Sequence, residues 1–240
     1  QLLSALLLKR HVVLVGNPGM GKTTLVRDVA SLLREQTLNS CEFHCRPENP
    51  VCPNCVAKVQ AGETVPTTTV KGTDAFVRVQ GSPDLTVEDL IGDIDPIKAM
   101  EYGPLSPQAF TPGKIFKANN GVLFFDELNR CSQRLQNALL QVLEEHKITI
   151  GSYDVDIPVD TLFIGTMNPQ DTNTEPLSDV LLDRFDLIYV HYPETQQEEE
   201  HIVRKQGAEI MPFSNDLYSH MISFIRQMRT SKDLEKVPSV

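Results

Sequence analysis

The chain has 240 residues, of which 40% are hydrophobic and 22% charged, and its formal net charge is −10. These values are ordinary for a globular protein and allow one large α/β domain with part of a second. The acidic balance disfavours passive, non-specific binding to nucleic acid, and no apolar run approaches the ~20 residues that a membrane-spanning helix needs.

The chain begins at Gln1 inside an apolar run and ends at Val240 without an obvious closing element. We therefore expect it to be part of a longer protein. The run Leu2–Leu8 is too short to span a membrane and no small-residue cleavage site follows it, so it is predicted to form a helix packed on the domain. Because no secretory signal is found, the five cysteines suggest a reducing, cytoplasmic location.

The first elements are predicted to be a strand, a glycine loop and a helix. Val12–Val15 is a short apolar run, typical of a strand buried on both faces of a parallel sheet. Three glycines and a proline interrupt it over Gly16–Gly21, and apolar residues then recur at helical spacing over Leu25–Leu33.

Less regular sequence follows. Asn39–Thr69 is rich in Pro, Thr, Asn and Cys and is predicted to be a loop. Ala75–Gln80 alternates between apolar and polar residues and is predicted to be a strand. Gly81–Ala118 is rich in proline and glycine, which predicts broken helix and turns.

The second half alternates strand and helix patterns up to Tyr192 and is helical afterwards. This alternation predicts the α/β class, with a parallel sheet sandwiched by helices and a partial C-terminal helical lid. We expect the α/β domain to cover residues 1–192 and the partial lid residues 193–240. The remaining predicted elements are strands Val122–Phe125, Thr161–Thr166 and Leu187–Val190, a hairpin over Lys147–Ile157 around Gly151, and helices over Leu135–Leu143, Glu194–Ala208 and Asp216–Met228.

The glycine loop matches the phosphate-binding pattern G-x-x-x-x-G-K-[ST]. Glycines let backbone N–H groups curve around phosphate oxygens, and the following helix directs its positive end at them. A lysine at this position reaches the β and γ phosphates, and the threonine hydroxyl ligates Mg²⁺. The sequence thus predicts ATP and Mg²⁺ as cofactors. The nucleotide-binding residues are predicted to be Gly16, Asn17, Pro18, Gly19, Met20, Gly21, Lys22, Thr23 and Thr24, with Thr23 also a magnesium ligand.

Two carboxylates end the second buried strand. A parallel strand would deliver Asp126 to the sheet edge where the phosphate loop lies, so we expect it to hold Mg²⁺ together with Thr23. Glu127 is expected to orient the attacking water or accept its proton. A second carboxylate is what separates a hydrolase from a nucleotide binder. The alternative is an exposed acidic pair at a strand end.

These residues resemble the AAA+ ATPases, in particular the MoxR and magnesium-chelatase branch, and the motor domain of MCM helicases is also similar. The resemblance covers roughly residues 5–195, and its pieces occur in the family's order. The matching pieces are Gly16–Thr23, Gly81–Gly92, Phe110–Ile115, Gly121–Arg130, Gln136–Glu145, Phe163–Pro169 and Leu181–Asp186.

The resemblance implies three further roles. Asn168 aligns with sensor 1, a polar residue that hydrogen-bonds the γ-phosphate or the attacking water; the alternative is a simple turn at Asn168 and Pro169. Arg184 aligns with the arginine finger that acts on a neighbouring subunit's ATP. The alternative for Arg184 is a salt bridge with a neighbouring aspartate, either Asp183 or Asp186. Gln80 aligns with a polar switch residue that contacts the catalytic glutamate.

The resemblance also implies the arrangement of the assembly. Residues 81–118 correspond to the helix-two insert, and the hairpin corresponds to the one before sensor 1; in the family both line or border a ring pore. An arginine that acts in trans requires head-to-tail contacts, so a ring, with six subunits as the expected number, is implied. The family places a sensor 2 arginine in the lid. No clear candidate is found, and Val237–Val240 resembles the segment that precedes it, which would leave hydrolysis by this chain weakened.

A cysteine-rich insert over residues 41–55 carries Cys41, Cys45, Cys52 and Cys55 with spacing C-x3-C-x6-C-x2-C. Four thiolates suit tetrahedral Zn²⁺, and a structural zinc ion would explain how a segment with so little apolar content is ordered. His44 is an alternative to one of the first two cysteines, and free thiols or disulfides are alternatives to zinc. Cys131 stands alone.

The leading function is therefore an ATP-hydrolysing, chaperone-like remodelling ring of the MoxR and chelatase type, with a protein client or a metal-insertion partner. A nucleic-acid translocase of the MCM kind is an alternative, disfavoured because the predicted hairpin tip, Gly151–Asp156, is acidic. The motor of an ATP-dependent protease is another. A nucleotide-gated binding module without turnover is argued against by Asp126 and Glu127.

Overall fold

The structure is a computed structural model that describes residues 1–104, 106–150, 155–169, 171, 176–207 and 214–230. The helices are α1 Leu2–Leu7, α2 Lys22–Ser31, α3 Pro53–Gln60, α4 Val87–Ile91, α5 Pro96–Tyr102, α6 Lys114–Lys117, α7 Gln133–Glu145, α8 Asp179–Leu182, α9 Gln196–Gly207 and α10 Asn215–Thr230. The strands are β1 His11–Val15, β2 Gln36–Asn39, β3 Thr67–Val70, β4 Phe76–Gln80, β5 Gly92–Ile94, β6 Phe110–Pro112, β7 Val122–Asp126, β8 Lys147–Ile150, β9 Val155–Pro158, β10 Leu162–Met167 and β11 Phe185–Tyr189.

Five strands form the central sheet in the order β11-β1-β10-β7-β4, and every neighbouring pair is parallel. The predicted parallel sheet is confirmed. Because the strands share one direction, their carboxyl ends meet at a single edge. That edge carries the end of β1, where the phosphate loop begins, and the end of β7, where Asp126 lies.

Alternate residues of each buried strand pack into separate apolar clusters on the two faces of the sheet. Val12 and Leu14 of β1 belong to the cluster that includes residues of α1 and α2. Val13 and Val15 belong to the cluster that includes residues of α4, α6 and α7. Burial of both faces explains why β1 is an uninterrupted apolar run, and it confirms the predicted layers of helix, sheet and helix.

The prediction that Asn39–Thr69 is a loop is wrong in part. Residues 53–60 form α3, and β3 pairs antiparallel with β2. Pro53 occupies the first turn of α3, where its missing N–H costs no hydrogen bond, and Cys52 Sγ caps the helix by accepting from Cys55 N. Composition suggested a loop because this helix-start signal is embedded in turn-forming residues.

The other predicted elements are confirmed within one to three residues at most ends, including the short helices of the 81–118 insert, where β5 and β6 also pair. The strands of the predicted hairpin, β8 and β9, are antiparallel. Its tip at residues 151–154 and the chain end at residues 231–240 lie outside the described residues. Where the structure describes the chain, each helix is too short or too polar to cross a bilayer. The predicted cytoplasmic location and domain boundary stay predictions.

A buried histidine makes the stability of the fold pH-dependent. His11, only 8% exposed, accepts a hydrogen bond on Nδ1 from the backbone N–H of Phe163 at 3.2 Å. Burial, and to a lesser extent His146, lowers the pKa of His11 from 6.5 to about 4. The unfolded chain therefore gains this proton at a higher pH than the folded chain does, and stability is lost as the pH falls from 6.5 towards 4.

We expect this group to remove about 2 kcal/mol of folding free energy between pH 7.5 and pH 5. His11→Gln, which keeps an acceptor and cannot titrate, should flatten this part of the profile in urea unfolding measured at both pH values. His201→Gln, at an exposed position, is the matched control and should leave the profile unchanged. An unaltered pH dependence in His11→Gln would contradict the assignment.

Candidate nucleotide site

The phosphate loop joins the end of β1 to the start of α2. Gly19 and Gly21 have φ angles of 80° and 72°, a left-handed conformation that favours glycine. A Cβ at Gly16 would lie 2.7 Å from the carbonyl oxygen of Val190, so this position also requires glycine. The loop can thus present its backbone N–H groups to phosphate oxygens at the N-terminus of α2.

Lys22, the first residue of α2, folds back over this loop. Its Nζ donates to the carbonyl oxygens of Gly16 and Asn17, both at 2.7 Å. Partial burial lowers the pKa of Lys22, while Asp126 and Glu127 oppose that shift. The ammonium group is therefore held beside the loop, and its charge is balanced by the acidic pair.

The loop opens on a cavity of about 1160 Å³. The acidic pair, Asn168 and residues of the lid all line it. On the lid side the guanidinium of Arg229 lies 4.1 Å from the centre of the Tyr192 ring and pairs with buried Glu199 at 2.6 Å. The volume and the concentration of phosphate-binding groups fit a nucleotide with its magnesium ion.

Asp126 lies at the end of β7, as predicted. Its Oδ1 accepts from the hydroxyl of Thr166 at 2.6 Å, and its Oδ2 accepts from Arg78 at 2.6 Å. The carboxylate is 15% exposed and lines the same cavity as Thr23 and Lys22. A hard oxygen ligand beside the loop threonine suits Mg²⁺.

Glu127 adopts a left-handed backbone conformation with φ of 58°, which is uncommon for a residue other than glycine. Its N–H donates to the hydroxyl of Thr166 at 2.9 Å, so one threonine holds both acidic residues. Its Oε2 accepts from Gln80 at 2.8 Å and pairs with Arg130 at 3.0 Å. The contact with Gln80 is the one that the family resemblance implies.

Asn168 follows the end of β10 and lines the cavity with the acidic pair. Its backbone oxygen accepts from Asn129 at 3.1 Å. Arg130 donates to Asp171 at 2.7 and 2.5 Å, which links the loop after β10 to the turn after Glu127. The neighbouring strands β7 and β10 thus bring three predicted residues, Asp126, Glu127 and Asn168, to one place.

Sequence reasoning missed Thr166, Arg78 and Arg130. Thr166 carried a signal, since it is a polar residue inside an apolar strand. Arg78 sits on β4 beside β7, in register with Phe124, and nothing in the sequence indicated that its side chain reaches Asp126. The pairing of Arg130 with Asp171 spans 41 residues and needed the fold.

Arg184 lies apart from this cavity. It immediately precedes Phe185, which aligns with His11 at the start of β1, whereas the phosphate loop follows the other end of β1. Five residues of strand separate these ends by about 16 Å. Arg184 pairs with Glu144 at 2.9 Å and with Asp183 at 3.1 Å.

Of the two aspartates considered as partners, Asp183 pairs with Arg184, whereas Asp186 pairs with Arg10. Arg184 lies at the amino ends of the strands, away from the phosphate loop, and is therefore not part of the nucleotide cavity of its own chain. Its predicted role towards a neighbouring subunit stays a prediction.

The four clustered cysteines form a second site. The Sγ atoms of Cys41, Cys45, Cys52 and Cys55 all lie within 4.8 Å of one another. The structure records these cysteines as free thiols, not as disulfides. His44 does not belong to this group, so the fold brings together four cysteines and not three cysteines with His44. The arrangement has the ligand number and type of a structural zinc site.

Comparisons with known proteins show the family of this chain. The model of the ATPase family associated with various cellular activities (AAA) matches residues 54–187, more than half of the chain. The magnesium-chelatase subunit ChlI homolog of Methanocaldococcus jannaschii is 32% identical over 181 residues, which are 74% of this chain and 46% of that protein. Magnesium-chelatase subunit ChlI of Chlorella vulgaris is 33% identical over 180 residues, 72% of this chain and 48% of that protein. The chain spans about half the length of these relatives.

Solved structures agree on the fold. A model of the complex between the magnesium-chelatase subunits BchI and BchD contains a chain that matches with a TM-score of 0.63 at 22% identity, covering 94% of this chain and 71% of that one. A putative ATPase from Cytophaga hutchinsonii matches with a TM-score of 0.55 at 24% identity, covering 96% of this chain and 58% of that one. These structures confirm the predicted fold class. The match to the family and to the curated relatives confirms the predicted ATPase class. The chain therefore belongs to the ATPase family associated with various cellular activities (AAA) and is similar to subunits of magnesium chelatase.

Proposed function

We propose that this chain is the ATP-hydrolysing motor core of a remodelling ring of the MoxR and chelatase type. The observation that carries the proposal is that the phosphate loop, Asp126, Glu127 and Asn168 line a single cavity. A binder without turnover would need only the loop, whereas the added carboxylate and amide supply what hydrolysis requires.

Each residue has a separate task in the proposed reaction. The loop N–H groups and Lys22 bind the β and γ phosphates, and Thr23 and Asp126 would hold Mg²⁺, which neutralises charge on the phosphates when bound. Glu127 orients the attacking water and takes its proton, and Asn168 hydrogen-bonds the water or the γ-phosphate. Gln80 and Arg130 hold the Glu127 carboxylate in place through their contacts with its Oε2.

We propose further that the motor works as a ring, with six subunits as the expected number, in which Arg184 of one subunit serves the nucleotide of the next. Its position at the sheet edge away from its own phosphate loop supports action in trans. A chain similar in fold belongs to a complex of two magnesium-chelatase subunits. This likeness supports a protein partner, either a client or a metal-insertion subunit.

The structure gives little support to the alternative of a nucleic-acid translocase. Such a motor needs basic groups in the pore elements. Lys147, at the base of the β8–β9 hairpin, is paired with Asp156 at 2.6 Å and with Glu145 at 3.3 Å, so its charge is already compensated. Turnover stimulated by DNA would favour the translocase, and a protease domain elsewhere in the full protein would favour the protease motor.

The proposed cofactors are ATP with Mg²⁺ in the nucleotide cavity and one structural zinc ion at Cys41, Cys45, Cys52 and Cys55. The proposed division of the chain is an α/β domain over residues 1–192 and a partial lid over residues 193–240. Packing of α9 against α10, with Glu199 of α9 paired to Arg226 and Arg229 of α10, supports the lid as a separate helical unit.

Lys22→Ala tests the nucleotide assignment. Removing the ammonium group should weaken ATP binding at least tenfold, because the lysine neutralises charge on the β and γ phosphates. The measurement is the dissociation constant for a fluorescent ATP analogue with Mg²⁺ present. Lys58→Ala, on the exposed face of α3, is the matched control. ATP affinity retained in Lys22→Ala would refute the loop assignment.

A further inference from the structure

The cysteine lobe, residues 39–66, is folded around its thiols more than around apolar side chains. Cys45, Cys52 and Cys55 are no more than 2% exposed and belong to the apolar cluster of the main domain. Apart from these cysteines, Phe43 is the only apolar side chain in residues 39–66 that is buried. Three buried thiols converging on a fourth are poorly explained as packing, because other apolar side chains would fill the same space without bringing sulfur atoms together.

Backbone N–H groups already point at the sulfur atoms. Cys45 Sγ accepts from the N–H groups of Val51 and Cys52, at 3.4 and 3.3 Å. Cys41 Sγ accepts from Cys45 N, and Cys52 Sγ accepts from Cys55 N, both at 3.4 Å. Donors aimed at sulfur stabilise the thiolate form, which is the form that binds a metal.

The side chain of Asn39 is buried beside the cluster. It is 2% exposed and makes no well-formed hydrogen bond within the described part of the chain, and the thiol of Cys55 lies within its reach. A metal-bound thiolate at Cys55 is a better acceptor than a thiol, so metal binding would turn this weak contact into a hydrogen bond.

The spacing of the sulfur atoms indicates one ion. A tetrahedral Zn²⁺ with bonds of about 2.3 Å places its sulfur ligands about 3.8 Å apart. The four sulfur atoms here, all within 4.8 Å of one another, need only a small contraction to reach that geometry. They stand too close together to surround an iron–sulfur cluster with several irons, and four protein ligands leave no open position for catalysis.

The lobe is attached to one particular part of the main domain. The ring of Phe43 lies 4.9 Å from that of Phe116 in α6 and 6.4 Å from that of Phe110 in β6, measured between ring centres. Asn119 and Asn120, just before β7, donate side-chain hydrogen bonds to the carbonyl oxygens of Phe43 and His44, at 2.8 and 2.9 Å. The lobe therefore contacts the base of the 81–118 insert and the beginning of β7.

The nucleotide residues lie at the other end of the same strand. Asp126 ends β7, whereas the hydrogen bonds to the lobe are made before its first residue, Val122. The lobe is thus placed to support the insert without touching the phosphate loop.

We propose that Cys41, Cys45, Cys52 and Cys55 hold one structural Zn²⁺, and that this ion fixes the base of the 81–118 insert through Phe43, Phe110 and Phe116. The inference rests on the zinc site of the proposed function and adds its structural task. Metal binding at the four thiols stabilises the Phe43 loop, and that loop in turn stabilises β6 and α6, the elements from which the insert projects.

Metal analysis and hydrogen exchange test the two steps separately. Protein purified under reducing conditions should contain one equivalent of zinc, and Cys52→Ser should contain less than a tenth of that. Cys131→Ala removes a buried thiol outside the cluster and should keep the full equivalent. Less than half an equivalent of zinc in the unaltered protein, or another metal in its place, would overturn the site and leave the ATPase proposal standing.

Removing zinc from the unaltered protein with a strong chelator should speed amide exchange at least tenfold in residues 39–66 and also in residues 110–118. The affinity for the ATP analogue should change less than twofold. Phe43→Ala should retain zinc and speed exchange in residues 110–118 alone. If zinc binds but its removal leaves exchange in residues 110–118 unchanged, the site survives and its structural task is refuted.

Discussion

Glu127→Gln is expected to bind ATP normally and to hydrolyse it about a hundredfold to ten-thousandfold more slowly. Glutamine has the size of glutamate and can still contact Gln80 and Arg130, so the shape of the cavity should be kept. It cannot accept a proton from the attacking water, and general base catalysis contributes a factor of this order. The measurements are steady-state phosphate release and the dissociation constant for the ATP analogue.

The position of Glu127 makes this expectation specific. Its neighbour Asp126 is bound by Thr166 and Arg78, both of its carboxylate oxygens accepting at 2.6 Å, as a residue that holds its place beside a metal ion would be. Glu127 is 32% exposed, and both of its side-chain contacts, with Gln80 and Arg130, are made at Oε2. Water can therefore reach Glu127 more readily than Asp126.

Glu63→Gln is the control for a general effect of losing a carboxylate, because Glu63 is exposed and lies in the cysteine lobe. It should hydrolyse ATP at the rate of the unaltered chain. Normal turnover in Glu127→Gln would remove Glu127 from the mechanism, whereas loss of both binding and turnover would indicate a structural defect.

Much of the fold could be predicted because short segments of the sequence indicate their own secondary structure. Runs such as Val12–Val15 and Val122–Phe125 are apolar at every position, as strands buried on both faces must be, and the glycine loop and helix follow the first of them. The cysteine lobe could not be predicted as well. Its helix α3 is capped by a cysteine sulfur, and its strands β2 and β3 are short and polar. The apolar residues therefore repeat neither at the spacing of a helix nor at that of a strand.

The residues of the candidate site also differ in how well local sequence predicts them. Lys22 follows the glycine loop after β1, and Asp126 and Glu127 stand at the end of β7, so a local pattern places all three at the carboxyl ends of the strands. The residues that hold them, Thr166 and Arg78, come from strands on either side of β7, in positions set by sheet order. Such support depends on which strands are neighbours, which a local pattern does not contain.

Arg184→Ala is expected to lower ATP turnover by about a thousandfold or more while leaving nucleotide affinity nearly unchanged, provided that the chain is assembled into rings. An arginine supplied to a neighbour's phosphates contributes a factor of this order, since it stabilises charge that develops only in the transition state. Loss of its ion pair with Glu144 could instead act through structure. Glu144→Gln is the matched control: it weakens the same ion pair, keeps the guanidinium, and should retain turnover.

Mixing two inactive variants distinguishes action in trans from action in cis. Subunits with Arg184→Ala keep Glu127, and subunits with Glu127→Gln keep Arg184. In a mixed ring an Arg184→Ala subunit beside a Glu127→Gln subunit receives the missing arginine from its neighbour, so turnover should reappear in the mixture, although neither variant alone is active. If Arg184 served its own nucleotide, no subunit in the mixture would hold a complete site. Action in trans is expected because Arg184 precedes β11 at the strand ends away from its own phosphate loop. If light scattering verifies mixed rings and the mixture stays inactive, the finger assignment is refuted.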